Sequence, residues 1–343
     1  MSAWRVVMTD FTEPGHAIES EVFAASGLDI DLIGAEESRA QGLAATTAGA
    51  DALLVQFASI DRDLIATLHR CQVISRYGIG VDMVDLDAAA AAGIPVANVP
   101  DFCIDEVSTQ TIGFLIDLNR RSLQLDRHVH EKRWGASAPA VTPPRRLAGQ
   151  TLGIVGLGAI GREVARKAQA LGLTVLAHDP YATVDADSSI RLVDLAELLV
   201  SSDYVSLHCP LNDATRGLIG PAELAAMRPT SYLLNLSRGP VVQQEALVHA
   251  LRSGEIEGAA LDVLVTEPPA EDDPILLLDN VIITPHSSSW SVESALQLRR
   301  DAAENVVVAL SGGTPRSVVN QPRPRAVTDI TDTTQTSPST TES

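Results

Sequence analysis

The chain is poor in aromatic residues. Phe, Trp and Tyr make up 3% of its 343 residues, so its core must be packed mostly from Ala, Val, Leu and Ile. Positive charge is also scarce: 25 Lys and Arg stand against 44 Asp and Glu, for a net charge of −19. Such a field repels phosphate backbones and anionic lipid heads, which argues against nucleic acid and membrane surfaces as partners. Cysteine is limited to Cys71, Cys103 and Cys209. They are far apart, follow no metal-ligand spacing and fit a reducing compartment, and no metal is expected. No apolar run reaches the length of a membrane span. The start, MSAWRVVMTDFTEPG, has no long apolar stretch of the secretory kind and soon meets acids. A soluble, cytoplasmic protein is the expectation.

What is present is a large aliphatic fraction. At 45% hydrophobic the chain can bury a proper core, and its length suggests two domains of ordinary size. WRVVMTD, DALLVQF and CQVISRYG read as short buried strands separated by helical patterns such as LIATLHR. Residues 105–129 form the longest uninterrupted helical pattern, with Asp101 or Asp105 placed to cap its start. A loop rich in Pro and small residues, ASAPAVTPPRR, follows. A cleaner alternation then begins with TLGIVGLG, and one strand–helix unit recurs about every 25 to 30 residues, as in stacked βαβ units. The order predicts an α/β fold with parallel sheets. The Thr/Ser/Pro-rich end, residues 322–343, has almost no large apolar side chains and is expected to be disordered.

The segment LGIVGLGAIGREVA carries Gly156-x-Gly158-x-x-Gly161 between an apolar strand and a helix. Gly156 allows the tight turn, Gly158 lets the backbone approach a pyrophosphate, and Gly161 lets helix and strand pack closely. N–H groups at the helix start, those of Ala159 and Ile160 among them, face the phosphates. The next strand, TVLAHDP, ends in Asp179, 18 residues past Gly161. An acid there accepts ribose hydroxyls and repels a 2′-phosphate, favouring NAD over NADP. Arg191 lies too far along to reverse this. The bland alternative is a structural glycine turn followed by an ordinary strand-end Asp.

Parallel sheets present ligands at the carboxyl ends of their strands. That rule selects Asn235–Gly239 after SYLLN, Asp262 and Glu267 after GAAL, and His286 after NVIITP. The Arg238 guanidinium suits a substrate carboxylate or carbonyl, or else a surface ion pair. Taken singly, His286 reads as an edge histidine and Glu267 as a loop acid. Together, a carboxylate on an imidazole fixes the tautomer and favours the protonated form. Such a pair gives a proton to a carbonyl oxygen as hydride arrives at its carbon, and takes it back in reverse. The small serines of TPHSSSW, Ser289 among them, let nicotinamide and substrate come close.

At this point the chain resembles the D-isomer-specific 2-hydroxyacid dehydrogenases, from about residue 50 to residue 320. The likeness rests on YGIGVDMVDLDAAAAAGIPVANVP, LAGQTLGIVGLGAIGREVARKAQALG, HDPY, LHCPLNDATRGLIG, MRPTSYLLNLSRGPVV, GAALDV with TEPP, and TPHSSS. RYGIGVD and VPDFCIDEVSTQ are similar to the C-terminal-binding-protein-like and phosphoglycerate dehydrogenase branches. The resemblance implies two doubly wound parallel-sheet domains. A flavodoxin-like substrate domain would use residues 1–101 and 287–321, and a Rossmann NAD domain would be inserted at 102–286, with hinges near Pro100 and His286. It implies a catalytic triad of Arg238, Glu267 and His286, and Asp262 on the nicotinamide carboxamide. Cys209, Pro210, Thr215, Leu236 and Ser237 would line the cofactor. Backbone N–H groups of Tyr77, Gly78, Ile79 and Gly80 would hold the substrate carboxylate, with Arg76 near a second anionic group.

There are departures. Gln243-Gln244 stands where the family usually has Asp-Glu, a change more of structural contact than of chemistry. Ser287 replaces a residue that is often apolar. Trp290 comes four residues after the histidine rather than three. No regulatory domain is expected after residue 320, against the longer phosphoglycerate dehydrogenases. The first reading is an NAD-dependent enzyme interconverting a small anionic 2-oxo acid and a D-2-hydroxy acid, with domain closure excluding water, working as a homodimer. The alternatives are an NAD-sensing scaffold or corepressor-like protein, and a reductase for a phosphorylated or phosphonate 2-oxo acid.

Overall fold

A computed structural model describes residues 3–12, 15–131, 134, 143–185 and 188–323. All but the first two residues of the expected disordered tail, and most of the ASAPAVTPPRR loop, lie outside the described residues. The chain divides into two compact units. One uses the chain up to Arg76, Met83–Ala97 and the chain from Ala303 on; the other uses Tyr77–Asp82 and Asn98–Ala302. The second is thus inserted into the first. The stretch Tyr77–Asp82 counts with the inserted unit, and the later border falls at Ala303 rather than at residue 287.

The first unit alternates β1 (Trp4–Met8), α1 (Ala17–Ser26), β2 (Ile30–Ile33), α2 (Ala35–Gln41), α3 (Leu43–Thr47), β3 (Ala52–Val55), α4 (Arg62–Thr67), β4 (Val73–Arg76), α5 (Leu86–Ala91) and β5 (Val96–Ala97). Its sheet runs β2-β1-β3-β4-β5, with every paired strand parallel. This is the flavodoxin-like order. All four residues of both β3 (ALLV) and β4 (VISR) are buried, as expected of strands covered on both faces. Asp61 and Asp85 cap α4 and α5 by accepting the N–H groups of Leu64 and Ala88. After β1, Asp10 accepts the N–H groups of Gln56, Phe57 and Ala58, which fixes the loop after β3. The returning chain pins the sheet edge: Asn320 accepts from Val96 N–H and donates to the Ile94 carbonyl.

The second unit holds α6 (Ile104–Arg120), α7 (Ser122–His130), β6 (Thr151–Val155), α8 (Ala159–Ala170), β7 (Thr174–His178), β8 (Ile190–Leu192), α9 (Leu195–Ser201), β9 (Tyr204–Leu207), α10 (Pro221–Ala226), β10 (Tyr232–Asn235), α11 (Gln244–Ser253), β11 (Gly258–Leu261) and β12 (Val281–Ile283). The last helix, α12 (Val292–Leu310), starts in this unit and ends in the first. The sheet order is β12-β11-β10-β9-β6-β7-β8, all parallel. Strand order reverses at β6, the switch point where such sheets bind nucleotides. The two parallel-sheet domains expected from sequence are therefore borne out.

The expected helix over 105–129 needs correction. Arg121 sits at φ 57 and breaks it into α6 and α7. The Arg121 guanidinium reaches Glu257 at 2.6 Å and the Tyr232 hydroxyl, contacts that hold the kink at the foot of the sheet. Neither candidate acid caps α6. Its N-cap is Cys103, and Asp105 lies in the first turn and meets Lys167 at 2.6 Å. Lys167, on α8, also donates to the hydroxyls of Ser108 and Thr109, tying α8 to α6.

Candidate active site

The glycine loop follows β6. Gly156 has φ 96, and a Cβ there would lie 2.6 Å from the Cys209 nitrogen. A Cβ on Gly161 would lie 2.2 Å from the Gly156 carbonyl oxygen, so only glycine lets α8 seat against the turn. Gly158 differs: nothing of the protein lies within 4 Å of its would-be Cβ. It is the N-cap of α8, and no side chain caps the first turn of that helix. Asp179 follows β7. Its carboxylate accepts the N–H groups of Leu157 at 2.8 Å, Tyr181 at 2.8 Å and Ala182 at 3.1 Å. Burial pushes its carboxyl up, but those N–H bonds and the neighbouring His178 outweigh it and hold the group below the usual carboxylate range. An open cradle, a helix N-terminus and a fixed strand-end carboxylate form the donor set that fits a dinucleotide.

Arg238 follows β10. Buried Asn235 shapes the turn beneath it, accepting from the Ser237 N–H and hydroxyl and donating to the Arg238 carbonyl at 2.9 Å. A Cβ on Gly239 would lie 1.9 Å from the Leu264 carbonyl oxygen. That glycine lets the chain after β10 press against the chain after β11. The guanidinium donates from Nη1 to the Ser237 carbonyl at 2.8 Å and from Nε to Asp82 Oδ1 at 2.9 Å.

His286 follows β12 with φ 53, left-handed backbone held by its N–H donating to the carbonyls of Asp262 and Thr284. Asp262, only 3% exposed, holds the rest of the turn. Its carboxylate accepts the Thr284 hydroxyl and the N–H groups of Ser287 at 2.9 Å and Ser288 at 3.0 Å. The imidazole Nδ1 lies 2.7 Å from Glu267 Oε2, and Glu267 Oε1 accepts the Leu264 N–H at 2.9 Å. Burial pushes the Glu267 carboxyl up. The hydrogen bond and charge of His286, the Leu264 N–H and the charge of Arg238 together outweigh burial and hold it below its ordinary value. Arg238, Glu267 and His286 thus follow three neighbouring strands, β10, β11 and β12.

The other expected residues fall as follows. Tyr77 is buried, and the Gly78–Gly80 loop is fixed by Val99 N–H on the Gly78 carbonyl and the Asn98 amide on the Ile79 carbonyl at 2.7 Å. Arg76 is 6% exposed, inside the first unit at the end of β4. The Thr215 hydroxyl is committed to the Pro210 carbonyl at 2.6 Å, closing the 210–215 turn. Leu236 is buried, and Ala159 and Ile160 open α8. The Ser289 carbonyl accepts the Ser294 hydroxyl, and Trp290 is 71% exposed. Cys71, Cys103 and Cys209 are buried thiols. Burial pushes Cys209 up to about 11, so it should stay a thiol at neutral pH. Mass spectrometry after iodoacetamide treatment should find Cys209 unmodified in the native protein and alkylated only after unfolding.

Sequence reasoning missed Asp82 and Asn98, and saw in Gln244 only a departure from the family. Asp82 and Asn98 stand in the quoted RYGIGVD and ANVP segments, but nothing local says what they bind. Gln244 donates to both Asp273 oxygens and accepts the Val265 N–H, spanning the loop that carries Glu267. A glutamate there would set two carboxylates face to face. Gln244→Glu is expected to lower Tm by about 2–4 °C, as for about 1 kcal/mol in a domain of this size. An unchanged melting curve would show that the amide bridge does not matter.

Residues 112–288 match the NAD-binding domain of the D-isomer specific 2-hydroxyacid dehydrogenases. A glyoxylate reductase of Korarchaeum cryptofilum is 37% identical over 265 residues, covering 76% of this chain and 80% of that protein. A D-3-phosphoglycerate dehydrogenase of Methanocaldococcus jannaschii is 36% identical over 277 residues, 80% of this chain, but the match spans only 52% of that relative's length. The NADPH-dependent glyoxylate/hydroxypyruvate reductase of Sinorhizobium meliloti, solved with NADP and malonate, superposes with a TM-score of 0.83 at 27% identity, covering 95% of this chain and 100% of that one. The chain belongs to the D-isomer specific 2-hydroxyacid dehydrogenase family, NAD(P)-dependent oxidoreductases that interconvert 2-oxo and 2-hydroxy acids.

Proposed function

We propose that the protein reduces a small, singly anionic 2-oxo acid of the glyoxylate class with NADH, using Glu267 and His286 as its proton-handling pair and Arg238 as its anion grip. The observation that carries this reading is the 2.7 Å Nδ1–Oε2 contact of His286 with Glu267, beside an Arg238 whose charge is felt at Glu267. Gly156, Gly158, Ala159, Ile160, Gly161 and Asp179 would hold the dinucleotide, with the turns at Cys209–Thr215 and Leu236–Ser237 and Ser289 along it. NAD(H), when bound, supplies or takes the hydride. With Nδ1 committed to Glu267, Nε2 is the atom that passes a proton to or from the substrate oxygen. Arg238 and the backbone of Tyr77–Gly80 hold the carboxylate. Asp262 fixes the left-handed turn that aims the ring, and its Oδ2, which accepts one N–H, has room for the carboxamide.

The direct test is NADH consumption across glyoxylate, hydroxypyruvate, pyruvate and phosphohydroxypyruvate. Turnover of the unphosphorylated acids supports the reading. Turnover of the phosphorylated acid alone would replace it with the dianion reading, for which the burial of Arg76 offers no support. Asp179 favours NADH by repelling a 2′-phosphate. Asp179→Ser should move the NADPH-to-NADH preference by about tenfold toward NADPH, and an unmoved ratio would remove Asp179 from cofactor choice.

The pH dependence has a definite sign. Because the folded-state pKa of Glu267 is depressed below its ordinary 4.5, the pair is complete above that value and is lost as pH falls through the depressed pKa. The rate should show an acid limb only below pH 4.5, and Glu267→Gln should abolish that limb. An acid limb that persists in Glu267→Gln would belong to another group.

Ile116 on α6, Leu123 and Val129 on α7, and Trp134 leave apolar surface exposed, which suits a homodimer. Sedimentation of the purified chain checks this. Buried thiols suit a cytoplasmic setting.

A further inference from the structure

Asp82 makes an ion pair with Arg238. The contact is specific in its atoms. Oδ1 accepts from Nε at 2.9 Å, while Nη1 donates to the Ser237 carbonyl at 2.8 Å. The side chains are 21% and 33% exposed, so the Coulomb attraction is partly screened and geometry is the larger effect. Gly80, two residues before Asp82, completes the socket. A Cβ on Gly80 would lie 1.7 Å from Nη2 and 2.6 Å from Cζ, so the guanidinium lies against the bare Cα of that residue. Gly80 and Asp82 belong to the loop whose carbonyls are pinned by Val99 and Asn98.

We propose that Asp82 is a positioning residue for Arg238: by holding Nε, it turns the outer edge of the guanidinium, Nη2 and the second hydrogen of Nη1, toward the substrate anion. An arginine has five N–H donors in a rigid fork, and anchoring the inner one fixes the direction of the others. One short loop, residues 78–82, would then set both the backbone donors for the carboxylate and the angle of the side chain that meets it. The proposal rests on Arg238 being the anion grip.

The test uses the full chain with Asp82→Ala and Asp82→Asn. Glyoxylate turnover is read in KM and kcat separately, oxamate affinity is measured on the NADH complex, and NMR follows the Arg238 Nε–H signal, identified by its loss in Arg238→Lys. In Asp82→Ala, kcat/KM should fall by about tenfold to a hundredfold, mostly through KM, with NADH affinity unchanged. The amide oxygen of Asp82→Asn still accepts from Nε, so that variant should recover to within about threefold of the parent. The Nε–H signal should be protected from exchange in the parent and in Asp82→Asn and exposed in Asp82→Ala. Tighter oxamate binding in Asp82→Ala, an unchanged KM, no rescue by asparagine, or a signal still protected in Asp82→Ala would each overturn the proposal. A parent protein that oxidises NADH with no acid would sink the dehydrogenase reading instead, and the NMR arm and the oxamate affinities would still decide between Asp82 and no anchor.

Discussion

His286→Ala is expected to lower kcat for the preferred 2-oxo acid by about a hundredfold to ten-thousandfold, the range for losing a positioned general acid, while NADH binds within about twofold of the parent. The split follows from where the ring sits. Its Nδ1 is held by Glu267 at 2.7 Å and its backbone by Asp262, whereas the glycine cradle and Asp179 lie on the other side of the switch point, after β6 and β7. Glu267→Gln should fall between the two, because the amide keeps a hydrogen bond to Nδ1 but not the charge. Steady-state rates with fluorescence titration of NADH read both quantities. Loss of NADH affinity in step with kcat would mean that the turn had collapsed rather than that a proton donor had been removed.

Gly80→Ala is the second large effect, and a selective one. Gly80 has no left-handed φ, so its backbone accepts alanine without strain. The added methyl would have to displace the Arg238 guanidinium, whose Nη2 lies 1.7 Å from the new carbon. A displacement of that size is expected to cost about a hundredfold in kcat/KM, about 3 kcal/mol of transition-state binding, with Tm and NADH affinity unchanged. Thermal melting beside the kinetics separates this from unfolding. Unchanged kcat/KM would show that the guanidinium works from somewhere else.

The two effects mark what was legible in the chain. The glycine turn could be read because strand, turn and helix lie within one short segment, and Gly161 answers to Gly156 inside it, whereas the Cys209 backbone that presses on Gly156 comes from the chain after β9. The parallel sheets could be read from short, mostly apolar segments: β3 is ALLV, and β4, β6 and β9 carry only one or two polar residues each and are buried almost throughout. Short edge strands could not. β2 (IDLI) and β8 (IRL) exist through pairing with β1 and β7, not through their own pattern. The break at Arg121 carries no Gly or Pro. It is set by Glu257 and Tyr232, more than a hundred residues away. Arg238, Glu267 and His286 were found by applying one rule about strand ends. Their supports were harder to read: Asp82, 156 residues from Arg238, was not singled out, and Asp262 was selected by the same rule but not as the residue that holds the His286 turn from another strand. A side chain that acts through distant backbone leaves no periodic or spacing signal.

The central claim is that hydride reaches the 2-carbon of a small oxo acid while His286 supplies the proton. The most direct measurement uses NADH deuterated at the transferable position, glyoxylate or another acid of the panel, and mass spectrometry of the product. The account predicts a 2-hydroxy acid carrying deuterium on the 2-carbon, formed by the parent protein and nearly absent with His286→Ala. Labelled product at the parent rate from His286→Ala, or none from the parent with any of the acids, would contradict it.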